Sequence, residues 1–287
     1  MAFQTKPMRG FAMLLAAVLA AACLSRADAG ADAGAGAETP VDARALVSAL
    51  VESQRTSGSR TRARISVERE GDRDRDGDRE RDRSLQVLIK TRREGATNET
   101  LVVAMWPKEE KGRAWMIRQA EAAGLGGFRF EPPNEVVPLT SADLDQPLFG
   151  SDLSVEDFVE SFWDWPDPRV TGSEKVEGAD CWVLELRAPD PSPSVRHPRV
   201  RLWIAKEKSV AMRIDKLDAA GAVQKRLTAG RVVRRDEGGW VVAEWTMETV
   251  ASKSRTRVSA TRSDRGLSLR ADEFSPEGVR ALVESSR

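Results

Sequence analysis

Between Arg60 and Arg270 the chain is dominated by one pattern, short stretches of period-two alternation parted by turn residues, and no other feature limits its fold as strongly. Alternation at period two marks a strand, because successive side chains leave opposite faces of the backbone. Over Arg60–Glu70 it puts Ala63, Ile65 and Val67 on one side. Further strands are predicted over 84–91, 99–106, 113–119, 127–131, 175–176, 181–187, 199–205, 210–217, 223–233, 240–248 and 253–270, the last broken near Asp264-Arg265-Gly266. Asp218-Ala219-Ala220-Gly221 and Asp236-Glu237-Gly238-Gly239 have the composition of hairpin turns, and Gly124-Leu125-Gly126-Gly127 that of another turn. The wide Pro189–Pro198 segment reads as a loop within the sheet. Consecutive short strands with few helices predict a mainly β, α+β fold built on one antiparallel sheet.

Several of these strands are apolar on both faces. Leu101, Val103 and Met105 alternate with Val102, Ala104 and Trp106; Trp115 and Ile117 alternate with Ala114 and Met116; Trp182, Leu184 and Leu186 alternate with Cys181 and Val183. An antiparallel sheet with one wet face does not look like this. Either both faces are covered or one encloses an apolar space. The chain has eight tryptophans and no tyrosine, and six of the eight fall on predicted strands. Each one alone is accounted for by core filling. Together they fit a concave sheet that accepts an apolar ligand.

Three helices interrupt or flank the strands. The densest local signals lie in Gly150–Trp165. Ser154 and Asp157 have capping-box spacing, and Leu153 and Phe158 have that of a hydrophobic staple. Val155, Phe158, Val159 and Phe162 then form one apolar stripe on a helix of about two to three turns, ended by Trp163, Trp165 and Pro166. Such a helix is a plug seeking an apolar surface. An N-terminal helix is expected after Thr39 as N-cap, Pro40 and Asp42, running through Ala43, Leu46, Val47, Leu50 and Val51 to Ser57-Gly58. A C-terminal one, started by Ser275-Pro276-Glu277, carries Val279, Leu282 and Val283.

The N-terminus has the form of an export signal. Lys6 and Arg9 precede an apolar core from Phe11 to Leu24, followed by small residues. Two processing sites compete. Ala27-Asp28-Ala29 gives a soluble protein beginning near Gly30. Ala20-Ala21-Ala22-Cys23 resembles a lipobox, with Cys23 as the lipidated residue, although Ala20 stands where Leu is usual. The expected organisation is therefore a signal peptide over 1–29, an Ala/Gly tether over 30–40, and a single domain over 41–287. The charge balance, 45 basic against 45 acidic residues, gives no reason to expect nucleic acid as a partner.

Reactive chemistry finds little support. In the Asp/Arg-rich hairpin loop 68–83, Asp72, Asp74, Asp76 and Gly77 match the first half of a calcium loop, but the position that should supply its last carboxylate is Arg83. His197 is the only histidine, so no zinc cluster of ordinary ligands forms; it reads as an exposed loop residue. Cys181 reads as a buried small hydrophobe. Neither a phosphate-binding loop nor a nucleophile elbow occurs. No catalytic residue, metal site or cofactor is expected.

Gly150–Phe158, GSDLSVEDF, resembles the Gly-Ser-Asp-Phe-Ser-Tyr-Glu-Asp-Leu motif of the LolA-like outer-membrane lipoprotein-sorting proteins, with Val155 and Phe158 in place of the usual Tyr and Leu. Three further segments follow in the family's order: Val176-Glu177-Gly178 with Cys181–Leu186, then Val200–Glu207, then Met212–Ile214 with Asp218–Gly221. The similarity covers about Arg113 to Phe274. It implies an unclosed antiparallel β-barrel wrapped over short helices, an apolar cavity for acyl chains and no catalytic residues. Trp106, Trp115, Ile117, Phe128, Phe130, Phe158, Val159, Phe162, Trp182, Leu184 and Trp203 are the residues expected to line that cavity. The implied role is a periplasmic carrier or sensor whose partners are lipid acyl chains or lipoproteins and an inner- or outer-membrane acceptor protein. The alternative is an envelope regulatory or protein-interaction module on the same fold. Oligomeric state is not legible.

Overall fold

The computed structural model describes residues 41–69, 83–120, 124–159, 162–189, 196–235 and 238–286. The expected signal peptide, tether, Cys23 and most of the Asp/Arg-rich loop lie outside the described residues. Thirteen antiparallel strands form one sheet. They are β1 (Gly58–Arg69), β2 (Arg83–Glu94), β3 (Thr97–Trp106), β4 (Ala114–Ala120), β5 (Gly124–Glu131), β6 (Glu135–Pro138), β7 (Arg169–Val176), β8 (Ala179–Arg187), β9 (Arg199–Ala205), β10 (Ala211–Leu217), β11 (Val223–Arg234), β12 (Trp240–Thr249) and β13 (Ser254–Arg265). Their order is β6-β5-β4-β3-β2-β1-β13-β12-β11-β10-β9-β8-β7. The two halves of the chain thus meander away from a central β1–β13 pair, and β6 and β7 are the free edges. This is an unclosed barrel, mainly β, as the alternation and the resemblance predicted.

One strand, β6, escaped the sequence reading, and of β7 only its last two residues, Lys175–Val176, were expected; both strands are edges. β6 is mostly exposed, and β7 is exposed along nearly its whole length, so no buried face imposes an apolar alternation on them. Gly124–Gly127 is not a turn but the start of β5. The reason is close contact: at Gly127, with φ of 127°, a Cβ would lie 1.9 Å from the Met116 carbonyl oxygen on β4. Only glycine permits that approach.

Helix α1 (Ala43–Gln54) buries Ala43, Val47 and Leu50. Its N-cap is Asp42 rather than Thr39, because the Asp42 carboxylate accepts from Arg44 N at 2.9 Å and Ala45 N at 3.1 Å. Helix α2 (Pro276–Glu284) begins where expected, with the Ser275 hydroxyl accepting from Gly278 N at 3.1 Å.

The register resolves why β3 and β4 are apolar on both faces. Val102, Ala104, Trp115 and Ile117 face inward, sharing one core with α1 and with Leu139–Trp165. Leu101, Val103, Ala114, Met116, Phe128 and Phe130 face outward and form a second core with Phe274 and Val279. The C-terminal segment therefore covers the outer face of this end of the sheet. Lys90 Nζ, 2.8 Å from Glu273 Oε2, fastens it there.

Candidate ligand-binding site

The connection from β6 to β7 joins the two free edges of the sheet and fills its inner face. Among its described residues there is no α-helix. Where one helix over Gly150–Trp165 was expected, the chain makes short 3-10 turns at Val155–Phe158 and Phe162–Asp164, preceded by turns at Ser141–Asp143 and Leu148–Gly150. Phe149 and Gly150 both take left-handed backbone, with φ of 53° and 69°. For Phe149 that costs about 1–2 kcal/mol, offset by complete burial of its ring. Leu153 and Phe158, the expected staple pair, are both buried.

What replaces helical hydrogen bonding is a set of polar anchors to distant strands. Asp157 accepts from Ser154 N at 2.7 Å and from the Ser154 hydroxyl at 3.0 Å. Its carboxylate is also paired with Lys216 of β10 and, at 3.1 Å, with Lys225 of β11. Lys225 donates to the Ser154 hydroxyl as well, at 2.8 Å. Asp157 is 1% exposed and Lys216 4%. Burial alone would raise the Asp157 pKa, but Lys216 and Lys225 outweigh it and hold the carboxyl well below the ordinary carboxylate range. A second anchor lies at β13: Asp152 N donates to Thr256 Oγ1 at 2.8 Å, and the Asp152 carboxylate accepts from Thr256 Oγ1 at 2.7 Å and from Ser254. A third comes from α1, where Arg44 donates to the Trp163 and Trp165 carbonyls.

Lys216, Lys225 and Thr256 were not singled out from sequence. The signal was present. Lys216 shares a face with Ile214 and Lys225 with Leu227, so both lysines sit on the apolar side of their strands. A cation there requires a buried anion.

Of the expected cavity residues, Trp115, Ile117, Phe158, Phe162 and Leu184 are buried in the inner core, with Val159 and Trp182 packed at its margin. Phe128 and Phe130 belong instead to the outer core. Trp203 is buried in the same cluster as Leu184, but its strand partners are Val183 and Arg213, and its indole N–H donates to Glu174 at 2.8 Å. Trp106 is half exposed. Two inner indoles, Trp163 and Trp245, keep buried N–H groups with no hydrogen-bond partner among the described residues. Phe162 packs against both Trp163 and Trp165, with ring centroids 4.2 and 6.2 Å apart.

His197 is not an exposed loop residue. It is 13% exposed and its Nε2 lies 3.5 Å from Glu156 Oε2 on the plug. Cys181 is buried as expected, and burial pushes its thiol pKa up, which disfavours the reactive thiolate. Among the described residues no group of three or more His, Cys, Asp or Glu side chains is arranged to hold a metal ion.

An unclosed antiparallel barrel with an irregular plug across its inner face defines the LolA-like class of fold, and solved structures bear this out. A DUF1329 family protein from Desulfovibrio piger is 20% identical, with a TM-score of 0.70 over 83% of this chain and 97% of that one. A candidate outer membrane lipoprotein-sorting protein domain from Vibrio parahaemolyticus is 16% identical, with a TM-score of 0.66 over 78% and 92%. A LolA superfamily protein from Nitrosomonas europaea is 17% identical, with a TM-score of 0.61 over 82% and 98%. No curated protein sequence matches. A family model described as "Uncharacterized protein" matches residues 96–280, well over half of the chain, and the chain belongs to that family, whose fold is LolA-like.

Proposed function

We propose that this chain is an exported, non-catalytic protein that shelters the acyl chains of lipids or lipoproteins between its inner sheet face and the plug. The observation that carries the reading is the construction of the plug. Its apolar side chains belong to the sheet's core, yet it has almost no regular structure of its own and is fastened by discrete ionic and hydroxyl anchors. Displacing it would leave the strand ladders intact and uncover Trp115, Ile117 and Leu184. Acyl chains entering that space gain about 0.8 kcal/mol per buried CH₂. The unpartnered indole N–H groups of Trp163 and Trp245 supply donors for an ester or carboxyl oxygen at the polar end. The leader-like N-terminus supports the periplasm as the working compartment, and release would require an acceptor that competes for the chains.

Native mass spectrometry of gently purified protein, together with uptake of a fluorescent fatty acid, tests the reading. Bound lipid or saturable uptake is expected, and Phe162→Ala should weaken uptake. A lipid-free protein that also takes up no fatty acid would sink it.

A further inference from the structure

We propose that the outer face around Arg62, Arg64 and Trp106 docks on an anionic phospholipid surface. Because Ala63, Ile65 and Val67 of β1 are buried on the inner face, the alternating Arg60, Arg62 and Arg64 all leave the outer one. Arg62 and Arg64 are exposed, and neither side chain has an ion-pair partner among the described residues. Across β13, Arg62 stands opposite Arg262, a like-charge pair that costs stability. On β12 and β13 the acids of this face are already taken: Asp264 is 3.3 Å from Arg262, Glu248 is 2.6 Å from Arg255, and Glu244 is 4.0 Å from Arg257. Glu68 of β1 shares the face but makes no ion pair with Arg62 or Arg64 among the described residues. Folding gains nothing from two further unpaired guanidiniums here.

Trp106 is brought to the same place by a register slip. Val87 pairs with Ala104 but Gln86 pairs with Trp106, so the extra residue in β3 turns the indole from the inner face to the outer one. Gln86 in turn pairs with Arg64, and Arg64 with Ser259, making one row across three neighbouring strands and β3. Two strand spacings set Trp106 about 10 Å from Arg64. The C-terminal cap that covers Leu101, Val103 and Met116 leaves Trp106 52% exposed.

An indole beside unpaired guanidiniums matches the chemistry of a bilayer interface. Guanidinium forks bind phosphate oxygens in pairs, and tryptophan settles at headgroup depth. A free phosphate ion would use the arginines and leave the indole without a role. The docking face is opposite the plug, so the inference stands independently of acyl-chain binding.

Sedimentation of the protein with phosphatidylcholine vesicles, with and without phosphatidylglycerol, is the test. Binding is expected only with phosphatidylglycerol, falling as salt rises. At about a fivefold to tenfold contribution per arginine, R62Q/R64Q should lower the partition coefficient about 30-fold with no loss of thermal stability. Trp106→Ala should weaken binding further while keeping its salt dependence. Fatty-acid uptake by R62Q/R64Q should equal that of the wild type, which separates this inference from the proposed function. Absence of binding to phosphatidylglycerol, equal binding to pure phosphatidylcholine, or unaltered binding of R62Q/R64Q would overturn the proposal. So would displacement by inorganic phosphate beyond that by chloride at equal ionic strength, which would mark a phosphate site instead.

Discussion

The two faces of the sheet are covered by opposite means. On the outer face, the C-terminal segment is a helix with a hydroxyl cap and Pro276 in its first turn, and it inserts Phe274 and Val279 into an apolar patch. On the inner face, the plug is a chain of one-turn 3-10 pieces whose placement depends on Asp152, Asp157 and their partners on β10, β11 and β13. Apolar insertion is non-directional and cooperative with the rest of the core. An anchor made of a few charges is directional and can be undone singly. Both covers insert apolar side chains and both carry an ion pair, but only the plug lacks a regular helix and depends on several polar anchors for its position.

Removing a side chain from each cover should break this comparison if it is wrong. Phe274→Ala carries the largest effect, about 4 kcal/mol of global stability, read as a drop in the denaturation midpoint. The plug should stay in place, with unchanged hydrogen-exchange protection over Leu148–Phe158. Asp157→Asn follows at about 3 kcal/mol, because it leaves Lys216 and Lys225 buried without their anion. Here protection should be lost first in the plug, while the amides of β2–β5 keep theirs. The two losses should add, since the sheet stands between the sites. Strong coupling, or early loss of β2–β5 protection in Asp157→Asn, would show that the plug is as integral as the cap.

Acid sharpens the same contrast. The Asp157 carboxyl is buried, which opposes ionisation, but Lys216 and Lys225 lower its folded-state pKa nonetheless. A depressed folded pKa contributes stability that is fully present above the unfolded value of about 3.9, and that stability is lost as pH falls through the folded value. Near-ultraviolet circular dichroism should report release of the plug aromatics on acidification in the wild type. In Asp157→Asn that acid limb should shrink, leaving the contributions of other carboxylates such as Asp215, which Arg213 and Arg226 hold low against burial. Identical acid profiles would rule out Asp157 as the anchor.

How far the sequence foretold this structure depends on where the decisive partner lies. Eleven strands and the C-terminal helix were legible because their information is local: period-two alternation, or Ser275 with Pro276 beside it. β6 and all but the last two residues of β7 were missed because edge strands bury no face. The plug was legible as a start and as an aromatic face, but not as a conformation. Ser154 and Asp157 have the spacing of a helix cap, yet β10 and β11 bring two lysines that recruit the same carboxylate and hydroxyl. The capping box does form, with Asp157 accepting from Ser154 N at 2.7 Å, but it starts only a 3-10 turn, and a long-range ionic contact shares its groups. Two of the expected cavity residues, Phe128 and Phe130, were put on the wrong face for a similar reason. Phe128 and Phe130 are as apolar as Trp115 and Ile117, and only register assigns them to the outer core.

The smallest expected effect tests that explanation at its source. Ser275 and Ser154 precede segments that both looked helical, and only the first uses its hydroxyl as a cap. The Ser275 hydroxyl accepts from Gly278 N at 3.1 Å and donates to the Asp272 carbonyl at 2.9 Å, contacts within six residues of the chain that stabilise one helix end. Ser275→Ala should therefore cost about 1 kcal/mol and shift only the global denaturation midpoint. The Ser154 hydroxyl lies between Lys225 and Asp157, so Ser154→Ala removes a bridge between the plug and β11. Its loss should appear as faster hydrogen exchange in the plug. If both serines behaved alike, local capping would suffice to explain both covers, and the ionic anchor would lose its special place. Opposite behaviour would show that the same residue type closes one cover from within and fastens the other from outside.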